Sequence, residues 1–157
     1  VCSSDLIDSA RRISHDLLPP TLSDFGLVSA IEELQDAYQK TKLKVELDTS
    51  QAIERLDDKL IELNLFRVIQ ELLKNSVTHG KATNAQLQIS IPSFEEFTIH
   101  YQDNGKGVNL NRLKERKGLG TQNIESRLDM CDASIVYESE EGKGLKAVIT
   151  RNEMVLL

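Results

Sequence analysis

Phe66-Arg67-Val68-Ile69-Gln70-Glu71-Leu72-Leu73-Lys74-Asn75-Ser76-Val77-Thr78-His79-Gly80 is the stretch on which the reading of the fold turns. With Leu60 and Leu63 upstream, Phe66, Val68, Ile69, Leu72 and Leu73 fall on or near one side at three- and four-residue spacing, the period of an amphipathic helix. Asp57 or Asp58 supplies an acceptor to cap its first turn, and Gly80 ends it after His79. Glu71 and Asn75, four apart, share a face of that helix. A carboxylate beside an amide can hold hydrated Mg²⁺, which prefers oxygen ligands and keeps its waters. The same spacing also arises by chance on a solvated helix edge.

Downstream, Leu87, Ile89 and Ile91, then Phe97, Ile99 and Tyr101, alternate with polar residues as half-buried strands do. They predict strands near residues 85–91 and 94–101, joined by a hairpin turn through Pro92-Ser93 and Glu95-Glu96. Residues 103–117 are polar, basic and glycine-bearing, and read as a mobile loop of functional length. A helix over 118–131 follows, then strands over 134–138 and 145–151 around the turn Glu140 to Gly144. Upstream, Leu6, Ala10, Ile13 and Leu17 predict a helix that Pro19-Pro20 ends. Residues 21–26 read as a connector, Leu27 to Tyr38 as a second amphipathic helix, and residues 42–48 as a strand. Hairpins beside long helices point to a two-layer α+β sandwich and away from a doubly wound parallel sheet.

Two further clusters carry chemistry. Asp103-Asn104-Gly105-Lys106-Gly107 follows a strand directly. A carboxylate there can accept the exocyclic amine of adenine, and the two glycines let backbone lie close to a ligand; the same residues also suit a plain β-turn. Gly118-Leu119-Gly120-Thr121 opens a helix, where free N–H groups and the dipole favour an anion. A lone G-x-G is weak alone.

Together, in order, and within the 51 residues from Glu71 to Thr121, these clusters resemble the three boxes of the GHKL ATPases, whose pocket is the Bergerat fold. Glu71 to Asn75 resembles the N box, Asp103 to Gly107 the G1 box and Gly118 to Gly120 the G2 box. Within that superfamily the chain is most similar to sensor histidine kinases of the NarL-partner type. That likeness rests on Phe66 to Asn75 with His79 one turn on, and on Arg12 to Leu22 followed by Phe25-Gly26-Leu27.

The resemblance implies a mixed, mostly antiparallel sheet with helices on one face, behind a helical linker. Residues 1–25 would be the end of a dimerisation helix and its linker, and residues 26–157 the ATPase domain. It further implies ATP and Mg²⁺ as cofactors. Asp103 would bind the adenine amine, Asn75 would ligate Mg²⁺, and Glu71 would act in catalysis by orienting metal-bound water or supporting phosphoryl transfer. His79 would lie near the phosphates. Gly105, Lys106, Gly107, Gly118, Leu119, Gly120 and Thr121 would frame the phosphate path under a lid made by residues 106–117. Phosphate would pass to a His on the dimerisation helix of a homodimeric parent, and then to a response regulator. Two departures touch single contacts: Thr78 stands where relatives often carry a basic residue, and Leu145 follows Gly144 where they often have Thr. An anti-sigma-type protein serine kinase would share the boxes but not the linker. A degenerate nucleotide-binding module is the other alternative.

His15, beside Asp16 and shortly before Pro20, imitates a phosphoacceptor. Only 60 residues separate it from Asn75, too few for a second dimerisation helix as well as the elements already assigned. It reads better as a packing or capping residue, with the true acceptor upstream.

The bulk properties agree. Hydrophobic residues are 39% and charged residues 28% of 157, an ordinary globular balance. A net charge of -6 and a pI near 5.1 disfavour nucleic acid, whose phosphates need Lys and Arg in excess. Cys2 and Cys131 form no metal or disulfide motif and fit a reducing cytoplasm. No apolar run approaches the ~20 residues that span a bilayer, although a longer parent can still be membrane-anchored. The opening Val1 to Leu6 lacks an initiator Met and resembles a translated sequencing adapter, which puts the native start near Ile7. A domain cut from mid-protein is the other reading, and both place missing sequence upstream.

Overall fold

The computed structural model describes residues 19–115 and 119–152, with the side chains of residues 113–120 outside that description. The helix expected over 6–18, His15 and Gly118 lie outside the described residues.

The expected connector over 21–26 is instead a short helix, α1 (Pro20–Phe25). Pro19 is extended at φ −58°, ψ 127°, as a residue before proline prefers. Pro20 sits in the first turn, where its missing N–H and fixed φ do no harm. The proline pair therefore starts a helix here. Leu22 of α1 is buried in the core, and the chain reverses at Gly26 into α2 (Leu27–Tyr38). The carboxylate of Glu62, 2% exposed, accepts the Leu27 N–H at 2.7 Å and pairs with Arg55 at 3.5 Å. It thus satisfies a donor that the start of α2 would otherwise leave open.

β1 (Lys44–Gln51) runs three residues further than predicted. α3 (Lys59–Thr78) is capped by Asp58, whose Oδ1 accepts the Leu60 N–H at 2.8 Å. Leu60, expected on the buried side, is exposed; Ile61, Leu65, Phe66, Val68, Ile69, Leu72 and Leu73 fill the core instead. β2 (Asn84–Ser90) and β3 (Phe97–Asp103) form the expected hairpin. Its turn takes in Phe94, which is exposed and outside the strand. The polar loop after β3 contains a short helix, α4 (Leu110–Glu115), where Asn109 Oδ1 accepts the N–H groups of Asn111 and Arg112. α5 (Leu119–Met130), β4 (Ser134–Ser139) and β5 (Leu145–Arg151) are the last of the described elements.

The sheet order is β1-β2-β3-β5-β4. Among the described residues only β1 and β2 pair in parallel, joined over the sheet by α3, and the other pairs are antiparallel. Alternation puts Ala85, Leu87, Ile89, Phe97, Ile99, Tyr101, Ala147 and Ile149 on the buried face. They meet apolar residues of α2, α3 and α5, including Ile31, Leu72 and Ile124. Gln86, Gln88, His100, Gln102 and Lys146 stay exposed on the other face. The result is a two-layer α+β sandwich with a mixed, mostly antiparallel sheet and helices on one side. No helix among the described residues is long and apolar enough to cross a membrane.

Candidate functional site

The last turns of α3 place Glu71, Asn75 and His79 at successive four-residue steps along one side, the first two half-buried and His79 exposed. Ser76, next to Asn75, turns inward instead and is buried. Beneath it, β3 carries Tyr101 and Asp103 on the buried face of the sheet.

Asp103 is 5% exposed. Its Oδ2 accepts the Ser76 hydroxyl at 2.5 Å, and its Oδ1 accepts the N–H groups of Gly105 at 2.9 Å and Leu145 at 3.2 Å. The Tyr101 hydroxyl hydrogen-bonds Ser76 Oγ and lies 3.4 Å from Leu72 O. Burial pushes the Tyr101 phenol well above its ordinary range; the Ser76 bond opposes this and the Asp103 charge adds to it. Tyr38, on α2, is raised first by burial and then by the negative charge of Glu71.

The turn after β3 is locked to the end of α3. His79 and Gly80 N–H groups donate to Asn75 O, and Lys106 N–H donates to Gly80 O at 2.8 Å. Gly105 lies so close that a Cβ there would stand 2.7 Å from Gly80 O. Asn104 splints the other side, its Oδ1 accepting the N–H groups of Thr83 and Asn84 at 2.9 Å each. The Glu140–Gly144 turn closes over the top, with Gly142 N–H donating to Lys106 O at 2.5 Å. Gly107 has φ +69°, and a Cβ on it would meet Glu140 O at 2.1 Å; Gly144 has φ +80°, and its Cβ would meet Asp103 O at 2.0 Å. Only glycine fits either place.

Leu119, Gly120 and Thr121 form the first turn of α5. Arg127 Nη1 donates to Asn64 Oδ1 at 3.2 Å, so α5 packs on α3. β4, which follows α5, begins at Ser134 beside Thr150, at the end of the sheet away from Asp103, so α5 runs antiparallel to α3 and its first turn lies toward the Asn75 and His79 end. Lys106 and Arg112 are exposed, and Lys106 is held to this end by its N–H bond to Gly80 O.

The structure therefore brings Glu71, Asn75, His79, Asp103, Gly105, Lys106 and Gly107 to one end of the helix layer, with the start of α5 directed toward it. Among the described residues no group of three or more His, Cys, Asp or Glu gathers into a metal cage. Glu71 and Asn75 offer two oxygen-bearing side chains on one face, a donor set suited to a hydrated cation that takes its other ligands from water and phosphate.

Sequence reasoning missed Ser76, Tyr101 and the Leu145 N–H. A small hydroxyl beside Asn75, and a Tyr two residues before Asp103 on one strand face, were the available signals. The Leu145 departure affects the side chain alone, since Asp103 is reached by the backbone. A hollow on the open sheet face, lined by Glu46, Asp48, Gln88, His100 and Lys146 among others, lies on the opposite side from this cluster.

A family profile described as histidine kinase-, DNA gyrase B-, and HSP90-like ATPase matches residues 61–153. The chain is 34% identical over 148 residues to the sensor histidine kinase ComP of Bacillus subtilis (strain 168), covering 93% of this chain and 19% of that protein. It is 28% identical over 141 residues to the signal transduction histidine-protein kinase/phosphatase DegS of Brevibacillus brevis, covering 89% and 36%. The chain thus spans between about a fifth and just over a third of these two relatives. Among solved structures, the histidine kinase domain of the Erythrobacter litoralis EL346 blue-light activated histidine kinase superposes with a TM-score of 0.61 at 17% identity, covering 78% of this chain and 60% of that one. The Acinetobacter baumannii histidine kinase AdeS gives 0.60 at 16%, covering 93% and 76%. Both likenesses bear on the fold.

Proposed function

Because the chain belongs to the histidine kinase-, DNA gyrase B- and HSP90-like ATPases, we propose that it is the ATP-binding catalytic domain of a bacterial sensor histidine kinase. The observation that carries this reading is Asp103: a buried carboxylate, fixed by two backbone N–H groups and one hydroxyl, at the end of the helix layer where Asn75 and Glu71 converge. Such a group can accept the exocyclic amine of adenine. The triphosphate then runs past His79 and Lys106 toward the start of α5, whose free N–H groups favour anions.

Mg²⁺, when bound, supplies charge neutralisation at the phosphates. Asn75 would hold it, and Glu71 would orient its water or support transfer. The basic stretch over 106–117 serves as a lid. The recipient is a His on the dimerisation helix of a homodimeric parent, and a response regulator takes the phosphate next. Residues 1–25 are the end of that dimerisation helix and its linker; residues 26–157 are the ATPase domain, working in the cytoplasm whether or not the parent is membrane-anchored. The full-length relatives named as sensor histidine kinases favour this reading over an anti-sigma-type serine kinase.

Calorimetry with Mg-ATP on this chain and on Asp103→Ala, beside a radiolabel autophosphorylation assay, tests it. Binding lost in the variant, with no label retained by the chain itself, is the expected result. No binding by the unaltered chain refutes the reading, and acid-labile label lost in His15→Ala refutes an upstream acceptor.

A further inference from the structure

We infer that Tyr101 and Ser76 form a proton-ordered relay that leaves Asp103 with a single acceptor position, and that these two positioning residues set the preference for an amino-bearing purine. The inference rests on the ATP reading above and extends it to residues outside the three boxes.

The order of the protons follows from the distances. Ser76 Oγ has two acceptors in reach, Asp103 Oδ2 at 2.5 Å and Leu72 O at 3.1 Å. The nearer one belongs to a carboxylate, and a hydroxyl bonds an ionised acceptor more strongly than a neutral carbonyl. The Ser76 proton therefore goes to Asp103. Tyr101 then donates to Ser76 Oγ, with Leu72 O at 3.4 Å as its weaker second acceptor. Each hydroxyl has one proton to give, so the chain runs in one direction, from Tyr101 through Ser76 to Asp103. Ser76 and Tyr101 are both buried, which keeps water from competing. In that setting successive hydrogen bonds polarise one another.

The carboxylate has about four acceptor positions. Oδ1 uses two, on the N–H groups of Gly105 and Leu145, and Oδ2 uses one on Ser76. One position on Oδ2 stays open, with its direction fixed by the other three bonds. A purine with an exocyclic amine fills it; a purine without one leaves a buried acceptor unmatched. Removing the Ser76 hydroxyl frees a second position and loosens the aim of the first. Removing the Tyr101 hydroxyl weakens the push on Ser76 while leaving the shape of the core intact.

The test is a cycle between protein and ligand: affinities of Mg-ATP and of Mg-purine riboside triphosphate, which lacks the amine, for the unaltered chain, Ser76→Ala and Tyr101→Phe. Ser76→Ala is expected to weaken ATP by about tenfold or more, the scale of a lost hydrogen bond to a charged group, and the amine-free analogue by less than about threefold. Tyr101→Phe is expected to follow the same pattern at about threefold for ATP, and thermal unfolding of both variants checks that they fold. If either folded variant weakens both ligands equally, its residue acts only through general structure and the inference falls. It falls also if ATP binding is unchanged in both, or if the unaltered chain holds the two ligands equally. Failure of the unaltered chain to bind ATP at all instead overturns the functional reading beneath it.

Discussion

Replacing Asp103 by Asn removes a charge while keeping the shape, and the surrounding bonds dictate how the amide must sit. Gly105 and Leu145 both point N–H groups at Oδ1, at 2.9 and 3.2 Å. An NH₂ group there would face two donors, so the amide oxygen takes that place and the nitrogen replaces Oδ2. Ser76 then accepts from it and returns its own proton to Leu72 O, an acceptor 3.1 Å away. Every buried group keeps a partner, and only charge assistance is lost, which costs about 1–2 kcal/mol of stability. The open position changes sign, because an N–H donor now points where the adenine amine would bind. Loss of that bond and the donor facing a donor together cost about 2–3 kcal/mol, roughly thirty- to 150-fold in affinity. Inosine triphosphate, which presents an acceptor at that position, should gain on ATP. Calorimetry with both nucleotides, alongside urea unfolding, reads both effects. ATP affinity within about threefold of the unaltered chain, or a stability loss beyond about 4 kcal/mol, would show that Asp103 serves the fold and does not read the base.

Further outcomes follow from other contacts. Glu62→Ala strips the Leu27 N–H of its buried partner and should lower stability by about 2–3 kcal/mol in urea unfolding; a change under about 0.5 kcal/mol would mean α1 and α2 are held by apolar packing alone. Gly144→Ala drives a Cβ to 2.0 Å from Asp103 O, whereas Gly142→Ala, at a similar φ of +83°, meets nothing within 4 Å. The second should cost only about 1 kcal/mol of backbone strain and the first about 3 kcal/mol or more, with weaker nucleotide binding; equal effects would deny the close approach. Alkali should destabilise the domain. Burial raises the Cys131 thiol from 9.0 to about 11, with Arg151 opposing and Asp58 and Asp132 adding. Because the folded value lies above the ordinary one, this contribution is complete below pH 9 and fades as pH rises toward 11. The unfolding free energy from urea titrations across that window should drop by no more than about 2 kcal/mol from this group after allowance for partial solvent screening, and Cys131→Ala should flatten that part of the profile.

Periodicity made most elements legible, because α3 and the strands each bury one face and their sequences carry the matching repeat. It erred where tertiary contacts outweigh local pattern. Residues 21–26 read as a connector, yet Pro20 begins a helix whose Leu22 reaches the core, since a proline suits a first helical turn as well as a break. Leu60 fits the apolar stripe of α3, yet it lies in the first turn, at the edge of the sandwich. Residues 94–96 resemble the start of a strand, although Phe94 is exposed outside it. At the candidate site the boxes were visible because glycines and paired polar residues stand out against apolar runs. Ser76 and Tyr101 were not, since a Ser in a helix and a Tyr in a strand look like ordinary packing until the two elements are laid across each other. The N–H of Leu145 has no sequence signature at all, because it belongs to the backbone.

That backbone contact ties the site to the history of the chain. Leu145 and Asp103 lie 42 residues apart, and β5 reaches β3 only after α4, α5 and β4 have been made. A chain that has made β2 and β3 but not β5 lacks the Leu145 N–H, and so cannot fully aim that carboxylate until β5 docks. The same holds in reverse. Any excursion that peels β5 from β3 dismantles the pocket, and a ligand that needs the pocket resists the excursion by mass action. Amide hydrogens along the β3–β5 ladder should therefore exchange more slowly when nucleotide is present, and this protection would reach as far as Arg151, whose backbone lies at the opposite end of the sheet from the carboxylate.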